Sequence, residues 1–510
     1  MNRHVANILI RSKKYGKFFL GLCLIAVVGC LSLRFTMNQF GGYDLSPVID
    51  LTWRLQCGEV PGRDFINTMP LALIVLLKIL SWTNFTWISF TLLSVFVVIL
   101  VYLFLASFNE IFFSNSIFYL LTIVIICIPL VFTNHIWHSI LSQYLAIIFT
   151  YTLYQHYLRT ANLNWTSWAR LFTASALLVT AKQNIALPVM VLGIGYTIYN
   201  RERKAMTINM ICLGALTGVF GFTQFLHMPL KDLLYSYSAV TGRAKISKQM
   251  IIEILAGESS RFAFILLCIL LINLYIYLRN KETMKGTNYL LLTIFISSLP
   301  FFTDWDSKLN NISLPLFALA LLFCPQSGTK TALNVLEWKP NYSSFHNYTL
   351  KIVVAIYVFI FLVALRGGYL RERMKGVGPF YENPSNIQIH GGFFDKLRTG
   401  LVFSGILYEI QSIKRDSPNS KLFFGPRLEF GYALTLTHSP YGMPLWWHPG
   451  SSYSVNDEGK VVSMFMENNF DILIFSRHDR TRMPSSVLRH IERNFHEIND
   501  YQFTDVYQKN

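Results

Sequence analysis

GGYDLSPVIDLTWRLQCGEVPGRDFINTMP, residues 41–70, follows an apolar run at 18–36 and decides how the rest of the chain reads. The run approaches the ~20 residues a helix needs to cross a bilayer, so the quoted stretch starts where the chain leaves a membrane face. Asp44 stands just beyond the span, and an amphipathic helix is expected to start near Ser46-Pro47. Gly58-x-x-Pro61-x-x-Asp64-Phe65 then makes a turn, and Pro70 opens a short apolar helix at 70–82. Asp44 and Asp64 are therefore expected at the ends of one folded loop at the membrane face. There they can approach one reacting hydroxyl, one as base and the other positioning substrate or a divalent cation. The plainer roles are that Asp44 caps the helix starting near Ser46-Pro47 and that Asp64 pairs with Arg63 on a solvated surface.

Ten further apolar runs follow, at 86–106, 116–133, 137–157, 169–181, 184–199, 206–227, 260–278, 287–303, 309–324 and 349–367, which makes about eleven spans. The stretch 70–82 is short and carries Lys78, and it reads as a helix lying at the membrane surface. Composition agrees: 53% apolar, 15% aromatic and 14% charged residues over 510, with a mean hydropathy of +0.39, exclude an ordinary soluble enzyme and a disordered chain. The net charge of +16 belongs almost wholly to the hydrophobic part, because the residues from 368 onward are close to neutral. Such charge reads as topology and contact with anionic lipid, and nothing resembles a nucleic-acid module. Seven scattered cysteines, six of them inside apolar runs, indicate neither a disulfide framework nor a zinc site.

Arg3, Arg11, Lys13, Lys14 and Lys17 precede the first span with no small-residue cleavage site after it, so an uncleaved anchor with a cytoplasmic start is expected. Eleven spans keep Arg159 and Arg170, Arg201, Arg203 and Lys204, Arg279, Lys281 and Lys285, and Lys330 and Lys339 on the inside. The C-terminus is then outside. The expected organisation is a membrane module at 1–367, with outer loops at 37–85 and 228–259, and an extracytoplasmic domain at 368–510. In the latter, an amphipathic stretch at 393–414, strands at 421–424, 471–475 and 501–507, and a helix at 485–495 suggest a small α/β domain of open-sheet type. No internal repeat is present, which weakens an inverted-repeat transporter reading.

The first loop resembles that of the GT-C superfamily of integral-membrane glycosyltransferases, which includes protein O-mannosyltransferases and the lipid A aminoarabinose transferase. Asp44 matches the family's acidic residue after the first span, and Gly58, Pro61, Asp64 and Pro70 match its second stretch. Leu45 stands where an Asp-Glu pair would have its second acid. Ala181-Lys182-Gln183-Asn184 resembles the family's lysine that contacts the lipid phosphate. A lysine at the join of two apolar helices is costly to place, and the plainer role is a snorkelling anchor. Lys308, in Asp304-Trp305-Asp306-Ser307-Lys308, matches a second phosphate-side lysine, or else serves as an interfacial anchor.

The resemblance implies a polytopic GT-C fold with its site facing the periplasm of a bacterial inner membrane. It implies a donor in which sugar is carried on a polyprenyl phosphate, such as undecaprenyl phosphate, held by Lys182, Arg63 and Lys308. Asp44 would take the acceptor proton while the anomeric carbon is attacked opposite the phosphate, with inversion. Arg54, His135, His138 and Gln183 are expected to line the cavity; two histidines three apart are weak as a metal site. Outside, the aromatic loop around Arg427, Glu429, Trp446, Trp447 and His448 is the sort that stacks on sugar rings, or that docks on the membrane interface. The acceptor is expected to be an envelope glycan such as O-antigen or lipopolysaccharide. Absence of Gly-x-Gly-x-x-Gly and Gly-x-Ser-x-Gly patterns argues against a soluble nucleotide donor and a hydrolase elbow. The alternatives are a lipid-linked glycan transporter or flippase and an O-antigen polymerase.

Overall fold

The computed structural model describes residues 3–37, 40, 45–108, 112–113, 116–132, 136–158, 165–200, 204–240, 313–322, 387–447, 452–477, 483–498 and 500–510. The expected spans at 260–278, 287–303 and 349–367 lie outside them. Helices in the first 322 residues are α1 (Arg3–Met37), α2 (Leu45–Gln56), α3 (Leu71–Leu80), α4 (Ser89–Ala106), α5 (Ser116–Phe132) and α6 (His138–Leu158), then α7 (Trp165–Leu178), α8 (Gln183–Asn200), α9 (Lys204–Phe225), α10 (Leu230–Val240) and α11 (Ser313–Leu322). Among the described residues Lys14–Arg34, Ser89–Ala106 and Lys204–Phe225 are long and apolar enough to cross a membrane.

The chain folds as two compact units. The first comprises Met1–Leu31, Ser94–Phe220 and Ile246–Gly368. Its helices pack through aromatic side chains: Phe118 on α5, Tyr151 on α6 and Phe317 on α11 have ring centroids about 6 Å apart. Helix α9 lies tightly on α7, and a Cβ added at Gly218 would overlap the main chain of Ala176. Close backbone approach of this kind is how helices associate in lipid, where no hydrophobic gradient drives them together.

The second unit comprises Ser32–Leu93, Gly221–Lys245 and Tyr369–Asn510. The described residues from 387 onward thus fall in one unit with the loop that follows α1. They contain the short pair β1 (Ile387–Gln388) and β2 (Arg398–Thr399), then α12 (Leu401–Asp416), β3 (Leu422–Phe424), α13 (Gly431–Thr435), α14 (Glu458–Glu467), β4 (Ile472–Ser476), α15 (Ser485–Asn494), β5 (Phe495–Ile498) and β6 (Thr504–Lys509). The larger sheet has the order β3-β4-β6-β5. β3 and β4 are parallel, joined by a crossover that includes α14, while β5 and β6 are close in sequence and pair antiparallel. Every residue of β3 and β4 is buried, as expected of strands covered on both faces. Their core gathers Phe423, Leu473 and Phe475 with Trp447, Tyr453, Phe465, Val487 and Ile491.

Candidate functional site

Helix α2 carries two charges where its apolar face would predict none. Asp50 and Arg54, one turn apart, are both buried and paired at 2.9 Å. Burial of two ions is tolerable only when their remaining hydrogen-bonding positions are filled. Here Ser439 donates to Asp50 Oδ1 at 2.5 Å, and Arg54 Nη1 donates to Glu59 (3.0 Å) and to the carbonyl of Pro440 (3.0 Å). The guanidinium also lies 4.9 Å over the ring of Phe65. Arg54, expected to line a cavity, is buried, with Nε and Nη1 both donating to the protein, which gives it a structural role. Lys78 on α3 donates to Leu55 O at the end of α2 (3.0 Å), an orphan carbonyl that a cation suits.

Beyond α2 the chain turns at Gly62, whose φ of +84° favours glycine and where a Cβ would overlap Asp232 on α10. Asp64 closes this turn. Its Oδ2 accepts from the Val60 N–H at 2.7 Å, and Arg63 grips both carboxylate oxygens at 2.7 and 2.8 Å. The hydrogen bonds from Arg63 come first among the causes that hold the Asp64 carboxyl below its ordinary range. A carboxylate so engaged is a poor proton acceptor, so Asp64 serves the turn, and the pairing with Arg63 is the one the sequence offered as its plainer role. The Arg63 side chain is 57% exposed.

The C-terminal segment clasps this loop. Gly442 N–H donates to Asp64 O (2.7 Å), Ile66 N–H to Met443 O (3.1 Å) and Leu445 N–H to Ile66 O (3.0 Å), with a parallel bridge between Ile66 and Pro444. Trp53 Nε1 donates to Thr437 O at 2.8 Å. Asp44 lies outside the described residues, but the residues flanking 41–44 are both fastened. Phe40 stacks on Phe403 (4.8 Å between centroids) and meets Phe394 and Phe430 edge-on. Ser46 donates to Glu429 Oε2 at 2.6 Å and accepts from the Phe430 N–H.

This geometry corrects two acceptor residues. Glu429 is 4% exposed and spent on Ser46, and Trp447 is 3% exposed with its ring edge-on to Phe423 and Phe465. Both are committed to the interior because the loop folds inward against α2 and the sheet. Arg427 and Trp446 are half-buried, and Arg427 has a φ of +76°. His448, His135 and Lys308 lie outside the described residues.

In the first unit, Lys182 and Gln183 stand at the join of α7 and α8, both half-buried. The Lys182 N–H donates to Ser142 Oγ at 2.8 Å, and Gln143 Oε1 accepts from Leu314 N at 2.7 Å. His138, buried at the start of α6, lies 3.1 Å through Nδ1 from Ser139 Oγ. Sequence reasoning missed Ser142 and Gln143. Their signal is the spacing of Ser139, Ser142 and Gln143 along one apolar helix, three polar residues on one face. Among the described residues no group of three or more His, Cys, Asp or Glu side chains is placed to hold a metal ion.

Burial pushes the Glu429 carboxyl up to about 7 and that of Glu59 up to about 7, the latter despite Arg54 beside it. An acid whose folded pKa exceeds its unfolded value binds more protons when folded, so its contribution to stability is full below about pH 4.5 and is lost as pH rises to about 7. One such group changes stability by about 1.4 kcal/mol per pH unit in that window. The second unit is therefore expected to melt at a lower temperature at pH 8 than at pH 5, and Glu429→Gln, which keeps a partner for Ser46, is expected to flatten the profile. Thermal unfolding followed by circular dichroism across this range checks it. Asp64 acts with the opposite sign but only in a separate window, below about pH 4.

Three apolar helices of spanning length among the described residues, together with a helical loop and a mixed sheet, fit a polytopic α-helical membrane protein. No protein-family profile matches the sequence, and no curated protein matches it. Among solved structures the chain is similar to the crystal structure of ArnT from Cupriavidus metallidurans bound to undecaprenyl phosphate. The likeness has 13% sequence identity and a TM-score of 0.49, over 96% of this chain and 98% of that one.

Proposed function

We propose that this chain is an inverting glycosyltransferase of the bacterial inner membrane. It takes a sugar from a polyprenyl-phosphate carrier at the periplasmic face and passes it to a hydroxyl of an envelope glycan, such as O-antigen or lipopolysaccharide. Asp44 accepts the proton of that hydroxyl as its oxygen bonds to the anomeric carbon. The bond from that carbon to the phosphate oxygen breaks, and the electron pair leaves with the carrier phosphate. Lys182, Arg63 and Lys308 are the cations for the phosphate, where a fixed positive charge stabilises the leaving oxygen. His138 and Gln183 line the donor cavity in this reading. From the outer loop, Arg427, Trp446 and His448 remain as acceptor contacts.

The observation that carries the reading is the anchoring of the first loop. Phe40 and Ser46, on either side of the Asp44 stretch, are both tied to 394–430, and the Asp64 turn is clasped by 442–445. A reactive carboxylate needs such a rigid frame, since misplacement by about 1 Å can cost about 10²-fold in rate. The test uses purified protein in nanodiscs, a radiolabelled polyprenyl-phosphate hexose and a lipopolysaccharide acceptor. Release of polyprenyl phosphate with transfer of label is expected. No release from hexose or pentose donors, or labelling of engineered cysteines after residue 368 from the cytoplasmic side alone, would overturn the proposal.

A further inference from the structure

Helix α12 buries Phe403, Ile406, Leu407, Ile410 and Ile413, an ordinary amphipathic face. Its opposite face is less ordinary. Leu401, Ser404, Tyr408 and Gln411 recur at spacings of three and four and so share one stripe, yet Leu401 is 63% and Tyr408 66% exposed. Folding gains nothing from a leucine and a tyrosine left in water. The stripe forms one wall of a cavity of about 420 Å³, within the range of small-molecule sites. The other wall comes from Gln388, His390 and the turn at Gly391, whose φ is +77° and whose amide is held by Asp395 at 2.8 Å.

The chemistry of this lining is selective. It contains two amides, an imidazole, a hydroxyl and a phenol, and no Lys, Arg, Asp or Glu. Phosphate or carboxylate ligands call for guanidinium or ammonium partners, and a membrane-docking face calls for basic residues around its apolar ones; neither is present in the cavity. Side-chain amides offer a donor and an acceptor side by side, which suits neighbouring hydroxyls. An exposed tyrosine ring offers a flat apolar face with a polar tip, which suits the C–H face of a pyranose. Among the described residues the side chains of Gln388, His390, Tyr408 and Gln411 are not engaged in hydrogen bonds with the protein. The cavity is also joined to the first loop, since Phe394 lines it and meets Phe40 at 5.2 Å, four residues before Asp44.

We propose that this cavity binds uncharged sugar residues of the acceptor glycan, Tyr408 by stacking and Gln388, His390 and Gln411 by hydrogen bonds to hydroxyls. The assignment of the sugars to an acceptor rests on the transferase reading above; the binding of neutral saccharide does not. Full-length protein in nanodiscs is titrated with maltotetraose, mannotetraose and tetragalacturonate, and binding is read by saturation-transfer NMR. A neutral tetrasaccharide is expected to bind and the acidic one not. Tyr408→Ala and Gln411→Ala are expected to weaken binding about tenfold, equivalent to about 1.4 kcal/mol. Ser404→Trp, which fills the cavity from an accessible helix face, is expected to abolish it.

Failure of both neutral probes to bind, or binding unaffected by all three variants, overturns the proposal. So does a loss confined to sedimentation with phosphatidylglycerol vesicles, which would make the stripe a membrane contact. Donor turnover separates the two readings. If the wild type releases polyprenyl phosphate but the variants alter neither glycan binding nor acceptor KM, only the cavity proposal falls. If neutral glycan binds through Tyr408 while no polyprenyl phosphate is released from any donor, only the transferase reading falls.

Discussion

Arg54→Ala is expected to lower the stability of the second unit by about 3–5 kcal/mol, the range for removing one partner of a buried ion pair. The change strips the buried Asp50 of its ion partner and takes a donor from the partly buried Glu59 and from the Pro440 carbonyl. It also removes a guanidinium from the face of Phe65, which adjoins Asp64. Burial already pushes the Asp50 carboxyl up, so protonation gives the variant partial relief, and its deficit is expected to shrink as pH falls. The double change Asp50→Leu with Arg54→Met discards both charges and is expected to be far milder than Arg54→Ala alone. Denaturant unfolding, with hydrogen exchange at the main-chain amides of the 442–445 clasp, distinguishes these outcomes. A loss below about 1 kcal/mol in Arg54→Ala would mean that the buried network does not hold the loop.

Asp44→Asn is expected to reduce kcat for sugar transfer by about 10²–10⁴-fold, the usual worth of a positioned general base. The amide is isosteric and cannot take a proton, so the KM for the polyprenyl-phosphate donor is expected to stay within a few-fold while the acidic limb of the pH–rate profile disappears. Lys182→Ala is expected to behave oppositely in KM, because a cation on the donor phosphate acts in binding as well as in the transition state. Asp64→Asn tests a different idea. Its carboxylate closes the Gly62 turn and grips Arg63, so its loss is expected to cost stability first and rate second. Single-turnover measurements on folded, monodisperse protein separate the three.

Several of the described helices were readable because their signals are local, while those at Leu230–Val240 and Glu458–Glu467 were not read. Pro70 before an apolar run gave α3, whose start is capped by that proline. The strands at 421–424 and 471–475 appear as β3 and β4 because uninterrupted apolar residues fit only a sheet covered on both sides. β5 was hidden because Phe495–Ile498 continues directly from α15, with no punctuation between them and two of its residues exposed. The site was less legible than the fold. The motif singled out Asp64, and its pairing with Arg63 was the plainer role the sequence offered, but the role of Arg54 depends on Ser439 and Pro440, nearly four hundred residues away, and no periodicity encodes such a meeting. Glu429 and Trp447 misled for the same reason. Polar and aromatic residues in a Gly/Pro-rich loop look exposed until a distant helix covers them. The cavity beside α12 left only a faint trace, Leu401 and Tyr408 on the wrong side of an amphipathic pattern.

The bonds from Ser46 to Glu429 and from Ser439 to Asp50 join residues 383 and 389 positions apart. During synthesis, at about 5–20 residues per second, the first loop emerges roughly 20–80 s before its partners exist. Throughout that interval Asp50 and Arg54 have only each other and Glu59, and Ile66 has no strand to pair with. The nascent loop is then a candidate client for chaperones on its side of the bilayer, and ribosome-stalled intermediates ending before residue 429 should show it sensitive to protease.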